Sequence, residues 1–176
     1  MGKRLVFANQ KAGVGKTTTA VNLGAAIAAR GKKVLLVDFD PQGNTTSSLG
    51  VDGSEGGIYE ALAGRSPLES VIRATSVPGL QVVPASIDLT GASVELVGQE
   101  EREFFLRRIL EPITASYDYI FIDCPPSLGI LTLNGLVAAH GVIIPLQCEY
   151  FALEGLRMLL GTIAKVQAGP NPSLRI

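Results

Sequence analysis

The chain has 176 residues, a length that suits one domain with a sizeable core. Apolar residues make up 47% and charged residues 18%, which excludes a disordered chain, and the net charge of −1 excludes a global attraction to nucleic acid or an acidic membrane. Trp is absent and aromatics are few, so Ala, Val, Leu and Ile make the core, as in helices packed on a buried parallel sheet.

The pattern predicts a first strand at Leu5–Asn9 and a helix over Lys16–Arg30. Ala20, Leu23, Ile27 and Ala28 mark the buried stripe of that helix, and Gly31 is its C-terminal stop. A second strand, Lys33–Asp40, leads through the Gly- and Ser-rich connection Gly50–Gly57 to helices at about Ile58–Ala63 and Leu68–Ala74. Next come a strand at Leu80–Ser86 and a helix over Glu100–Ala115 that Pro112 ends or kinks. A strand at Tyr119–Cys124, a helix at Leu131–Ala139, a strand at Val142–Gln147 and a helix at Ala152–Gln167 complete the run. Each strand is nearly continuous in apolar residues, as strands buried on both faces must be. Strand and helix in alternation imply right-handed crossovers and an α/β fold: a doubly wound, mostly parallel sheet flanked by helices. Ser173–Ile176 reads as the start of another strand, so residues 1–176 are expected to be a single domain whose C-terminal part is missing.

The N-terminal apolar run is too short for a secretory signal, and Val6 stands where a myristoylation motif wants Ser or Thr. No apolar stretch approaches the roughly 18 residues of a membrane span, so a cytoplasmic protein is expected. Cys124 and Cys148 lie in apolar runs without metal-ligand spacing and read as reduced core thiols.

The strongest chemical signal is Asn9-Gln10-Lys11-Ala12-Gly13-Val14-Gly15-Lys16-Thr17-Thr18-Thr19, set directly between a strand and an Ala-rich helix. Gly13 and Gly15 let backbone N–H groups turn inward, where the helix N-terminus adds partial positive charge. Lys16 can reach β- and γ-phosphates, and the Thr17 hydroxyl can ligate Mg²⁺. The strict phosphate-loop pattern wants Gly at position 10, where this chain has Gln10 and a lysine, Lys11, directly after it. The plain alternative is a Gly-rich turn that merely starts a helix.

Asp38 and Asp40 point to one face at the carboxyl end of the second strand, where ligands of open α/β sheets collect. Such acids suit Mg²⁺-bound water or the positioning of an attacking water, or else they cap the following turn. Tyr119–Asp123 is a hydrophobic strand that delivers an acid to the same mouth, where Asp123 can hold Mg²⁺ through water. Arg102, Arg107 and Arg108 interleave with Glu100, Glu101 and Glu103, which favours a solvated, salt-bridged face over a DNA patch. His140, in a turn before a strand, is given no catalytic role.

Together these motifs resemble the ParA/Soj ATPases that segregate bacterial chromosomes and plasmids, P-loop NTPases of the deviant-Walker group that includes MinD. The family's usual NQKGGVGKTT is broken only by Ala12, and Asp38–Asn44 (DFDPQGN) and Leu146–Leu156 (LQCEYFALEGL) are likewise ParA-like. The resemblance implies ATP and Mg²⁺ as cofactors and a nucleotide-dependent sandwich homodimer in which Lys11 reaches the partner's nucleotide. By the same resemblance, residues 12–18 (Ala12, Gly13, Val14, Gly15, Lys16, Thr17 and Thr18) cradle the phosphates. Within that cradle Lys16 holds phosphates, Thr17 takes Mg²⁺ and Thr18 meets the α-phosphate. Asp40 acts on the attacking water and on the metal, and Asp123 helps to hold Mg²⁺. It further implies slow ATP hydrolysis, non-specific DNA binding, a ParB-like centromere-binding partner, nucleoid association and no membrane. Two other readings remain: a relative that binds nucleotide without dimerising or hydrolysing, and another deviant-Walker enzyme, MinD-like or a small-molecule phosphotransferase.

Overall fold

The computed structural model describes residues 2–148 and 152–176. Among these residues six strands, β1 (Lys3–Phe7), β2 (Val34–Asp38), β3 (Arg73–Ala74), β4 (Leu80–Val83), β5 (Tyr119–Asp123) and β6 (Gly141–Ile143), form one sheet in the order β3-β4-β2-β5-β1-β6. Every pairing is parallel except the antiparallel β3–β4 edge. Among the described residues seven α-helices accompany them: α1 (Lys16–Ala28), α2 (Asn44–Ser48), α3 (Ile58–Leu62), α4 (Leu89–Glu95), α5 (Phe105–Leu110), α6 (Ile130–Ala138) and α7 (Ala152–Ala168).

Side chains that alternate along the strands feed two cores, which is why the strand sequences are apolar without a break. Val34 and Leu36 pack with Phe7, Val82 and Phe121 under Ala20 and Ala28 of α1. Leu35 and Val37 face the other way, with Val6, Ile120 and Ile122, beneath α3, α5, α6 and α7. The β2–β5 register sets Asp38 opposite Asp123, so two buried acids end neighbouring central strands side by side.

Several expectations need correction. The helix read at Leu68–Ala74 is a 3₁₀ turn, Leu68–Val71, followed by β3, because Pro67 opens it and β-branched Val71 and Ile72 favour extended backbone. The span Glu100–Ala115 is broken into 3₁₀ turns, Arg102–Phe104 and Glu111–Ser116, around the short α5, with Pro112 in the second of them. The last strand stops at Ile143: beyond it Pro145 has no N–H to give a sheet, and its carbonyl accepts instead from Asn9 Nδ2 at 2.7 Å. Cys148 is therefore exposed rather than a core thiol, while Cys124 is buried, and both are free. Helices α2 and α4 were not foreseen. Near the chain's end, Arg175 makes an isolated parallel bridge to Gly141, in line with a strand beginning there. Of the Leu146–Leu156 motif, residues 149–151 lie outside the described residues.

Candidate phosphate and metal site

The loop between β1 and α1 is built by its glycines. Gly13 has φ +74° and Gly15 φ +90°, backbone that L side chains rarely adopt, and Gly15 is the N-cap of α1. The first helical bond runs from Thr19 N to Gly15 O at 2.8 Å, so the N–H groups of Lys16, Thr17 and Thr18 have no acceptor within the helix. Asn9 holds the other end of the loop: its buried side chain accepts from Lys11 N–H at 3.0 Å while donating to Pro145. Gln147 Nε2 donates to Gly13 O at 3.4 Å.

Lys16 is only 7% exposed, and its ammonium donates to Lys11 O at 3.2 Å along the inside of the loop. Burial lowers its pKa, against the opposing pull of Asp123 and Asp40. The acids that could balance this ammonium come from the end of β5, Asp123, and from the turn just beyond β2, Asp40. Asp123 Oδ2 accepts from the Thr17 hydroxyl at 2.6 Å and from the Thr45 hydroxyl at 2.7 Å. Its other oxygen, Oδ1, is buried with no hydrogen-bond partner. Burial pushes the Asp123 carboxyl above its ordinary range, which the two hydroxyls partly offset.

Asp40 is buried at the mouth, and its Oδ1 accepts from Gln42 N–H at 3.0 Å, so this acid faces Lys16 and also holds a turn. Asp38 does something different. Its Oδ2 accepts from Thr46 N–H at 2.8 Å and from the Thr46 hydroxyl at 2.6 Å, and burial pushes it up to about 7. It anchors α2 and does not line the cleft.

That cleft, about 460 Å³, is bounded by Ala12, Gly13, Gly15, Lys16, Thr17 and Thr18 on one side and by Asp40, Gln42, Asn44, Ser48 and Pro126 on the other. Val14 is buried behind the loop, Lys11 is half-buried and Ala12 is exposed. Larger grooves of about 610 and 570 Å³ lie by α6 and α7 and along β6, but neither gathers a loop of free N–H groups, a lysine and acids. Among the described residues no three His, Cys, Asp or Glu side chains cluster as metal ligands. A hydroxyl, one or two carboxylates and an orphaned buried carboxylate oxygen instead fit a hard cation that keeps its waters and shares phosphate oxygens.

Sequence reasoning missed Thr45, Thr46, Asn44, Ser48 and Pro126. The signal available was the hydroxyl pair that directly follows the Asp38–Asn44 turn. His140 sits where expected, before β6, with Nδ1 accepting from Arg4 N–H at 2.9 Å. Arg108 pairs with Glu101, as a salt-bridged surface would have it.

The chain matches the AAA domain family model (AAA_31) over residues 2–176. It is 61% identical to the chromosome-partitioning ATPase Soj of Treponema pallidum, over 100% of this chain and 69% of that protein. It is 57% identical to the chromosome partitioning protein ParA of Myxococcus xanthus, over 100% of this chain and 63% of that one. It therefore spans about two-thirds of the length of these relatives. Cobyrinic acid a,c-diamide synthase from Mycobacterium smegmatis, solved with bound ADP and magnesium, superposes with a TM-score of 0.95 at 47% identity, over 99% of this chain and 72% of that one.

Proposed function

Since the chain belongs to the ParA/Soj family of chromosome-partitioning ATPases, we propose that it binds ATP with Mg²⁺ in the Lys16 cleft and hydrolyses it as a switch for DNA segregation. The observation that supports this best is the convergence of Lys16, Thr17 and Asp40 on one cleft, with Asp123 bonded to Thr17 behind it and its Oδ1 left as a buried acceptor. In this reading the N–H groups of residues 12–18 and the Lys16 ammonium hold the phosphates, Thr18 meeting the α-phosphate. Thr17 would ligate Mg²⁺, Asp123 would hold it through water, and Asp40 would orient the attacking water and contribute to the metal's surroundings. The metal supplies neutralisation of the charge that develops on the β- and γ-oxygens.

Lys11 then reaches across a sandwich dimer to the partner's nucleotide, and the dimer binds DNA without sequence preference. A ParB-like centromere-binding protein speeds hydrolysis and so releases the DNA, in the cytoplasm and on the nucleoid. Among the described residues no helix is long and apolar enough to cross a membrane.

A second reading, a small-molecule enzyme on the same fold, is raised by the likeness to the Mycobacterium synthase. Phosphate release from ATP and Mg²⁺, measured with and without DNA, separates the two. DNA- and partner-stimulated turnover that Lys16→Ala abolishes is expected; release no faster than in that variant would end the ATPase reading.

A further inference from the structure

Helix α2 has the sequence Asn-Thr-Thr-Ser-Ser, five residues of modest helix propensity, far too short to form unaided. Tertiary bonds must therefore hold it, and the two threonines supply them. Thr45 and Thr46 are buried while Asn44, Ser47 and Ser48 are exposed. Thr46 is clamped by Asp38 through both its N–H and its hydroxyl, and the hydroxyl oxygen also accepts from Ala85 N–H at 3.0 Å, beyond the end of β4. One residue earlier, the Thr45 hydroxyl donates to Asp123 Oδ2. The helix is thus stapled to the ends of β2 and β5, whose register sets the two acids side by side.

The consequence concerns Asp123. One of its oxygens collects two hydroxyl donors, Thr17 and Thr45, while the other has none. Of these two donors, Thr17 is the one whose oxygen a cation would share, so Thr45 is the anchor of the carboxylate that stands outside the metal's ligands. We propose that Thr45 is a positioning residue of the metal site: its hydroxyl holds Asp123 by Oδ2 so that Oδ1 stays available to metal-bound water, with Asp38 and Thr46 seating the helix that bears it. This rests on the reading of the cleft as an ATP and Mg²⁺ site. Groups that orient a metal's ligands in this way are worth about 10–100-fold in metal affinity.

The test is ADP binding, read by a fluorescent analogue in the full-length protein, in Mg²⁺ and again in EDTA. The parent is expected to bind more tightly with Mg²⁺. Thr45→Val, nearly the same shape, should cut that advantage by about tenfold and leave the EDTA affinity unchanged. Thr45→Ser, which keeps the hydroxyl, should retain the advantage. A Thr45→Val variant with the parental Mg²⁺ advantage, or with equal losses in Mg²⁺ and EDTA, overturns the proposal. Should Thr45→Val not fold, Thr45→Ser decides: loss of the Mg²⁺ advantage there means that the hydroxyl is not what matters. A parent that gains nothing from Mg²⁺ would overturn the function reading and this inference together, whereas a responsive parent with an indifferent Thr45→Val overturns the inference alone.

Discussion

Asp40 has two jobs in the structure, and two substitutions separate them. Its Oδ1 accepts from Gln42 N–H and its backbone carbonyl accepts from Gly43 N–H at 2.9 Å, so it holds the turn into α2. It also lies in the cleft, close enough to Lys16 to oppose the lowering of the ammonium's pKa. Asp40→Asn keeps an oxygen for Gln42 but removes the charge. Asp40→Ala removes both. Loss of one such hydrogen bond costs about 1 kcal/mol. At this chain length that lowers the melting temperature by about 2–4 °C, so Ala should melt lower than Asn, and Asn close to the parent. Hydrolysis should fall in both by roughly 10²-fold or more, about 3 kcal/mol of barrier, the scale of losing a group that orients or deprotonates the attacking water. Nucleotide affinity should not fall, since a negative charge leaves the neighbourhood of phosphate. Single-turnover hydrolysis, analogue titration and thermal melts on both variants make the comparison. An Asn variant that hydrolyses at the parental rate would reduce Asp40 to a turn cap and refute the reasoning.

Lys16→Ala should abolish nucleotide binding, because the N–H groups of the loop would face phosphate charge without their ammonium; a titration showing affinity within about twofold of the parent, or ~0.4 kcal/mol, would remove Lys16 from the site. Among the described residues Glu101 is the only non-glycine with positive φ, so Ala12 is unstrained in its loop and its exposed methyl is placed to press on the cleft's contents or on a facing subunit. If overpacking there costs about 1–3 kcal/mol, Ala12→Gly should strengthen nucleotide-dependent dimerisation in sedimentation, and equal dimer fractions would make Ala12 neutral. Burial, then Arg4, lower the His140 pKa below its ordinary 6.5, and its Nδ1 accepts a hydrogen bond that protonation would destroy. The unfolded chain therefore binds the proton more readily, and this contribution to stability is present above pH 6.5 and lost as pH falls through the folded value. His140→Asn, which keeps an acceptor for Arg4 N–H, should flatten the acid limb of thermal melts; an unchanged limb would clear His140.

The parts of the fold that were legible are those whose cause is local. Val34–Asp38 is buried along its whole length, and an unbroken apolar run is what such a strand requires. The loop before α1 was legible because two glycines, a lysine and threonines between strand and helix have few other uses. What escaped depends on distant partners. Asn44–Ser48 has no helical pattern of its own, and its helix exists because Asp38 and Asp123 hold Thr46 and Thr45, the second bond spanning 78 positions. The β3 edge is two residues long, too short for any periodicity to register. Cys148 read as a core thiol because the apolar run continues past Ile143, whereas Asn9 and Pro145 draw the chain off the sheet.

The acids show why sequence alone could not separate chemistry from structure. In the sequence Asp38 and Asp40 share a motif and one face of the expected strand, and both could cap or catalyse, but β2 ends at Asp38 and leaves Asp40 in the turn beyond it. The fold divides them through one difference: Asp38 meets an amide and a hydroxyl of α2 in the interior, while Asp40 reaches the open cleft beside Lys16. A buried carboxylate whose donors all belong to neighbouring backbone and hydroxyls is a staple, since every lone pair directed at the protein is one fewer for a ligand. By the same reasoning Asp123, with one oxygen saturated and the other empty, is the acid of the three that retains buried capacity for a ligand. Thr45 has a part in that division, because it occupies Oδ2 from a helix that Asp38 itself keeps in place. The acid that seats α2 is thereby linked, through Thr45, to the acid that ends the neighbouring strand.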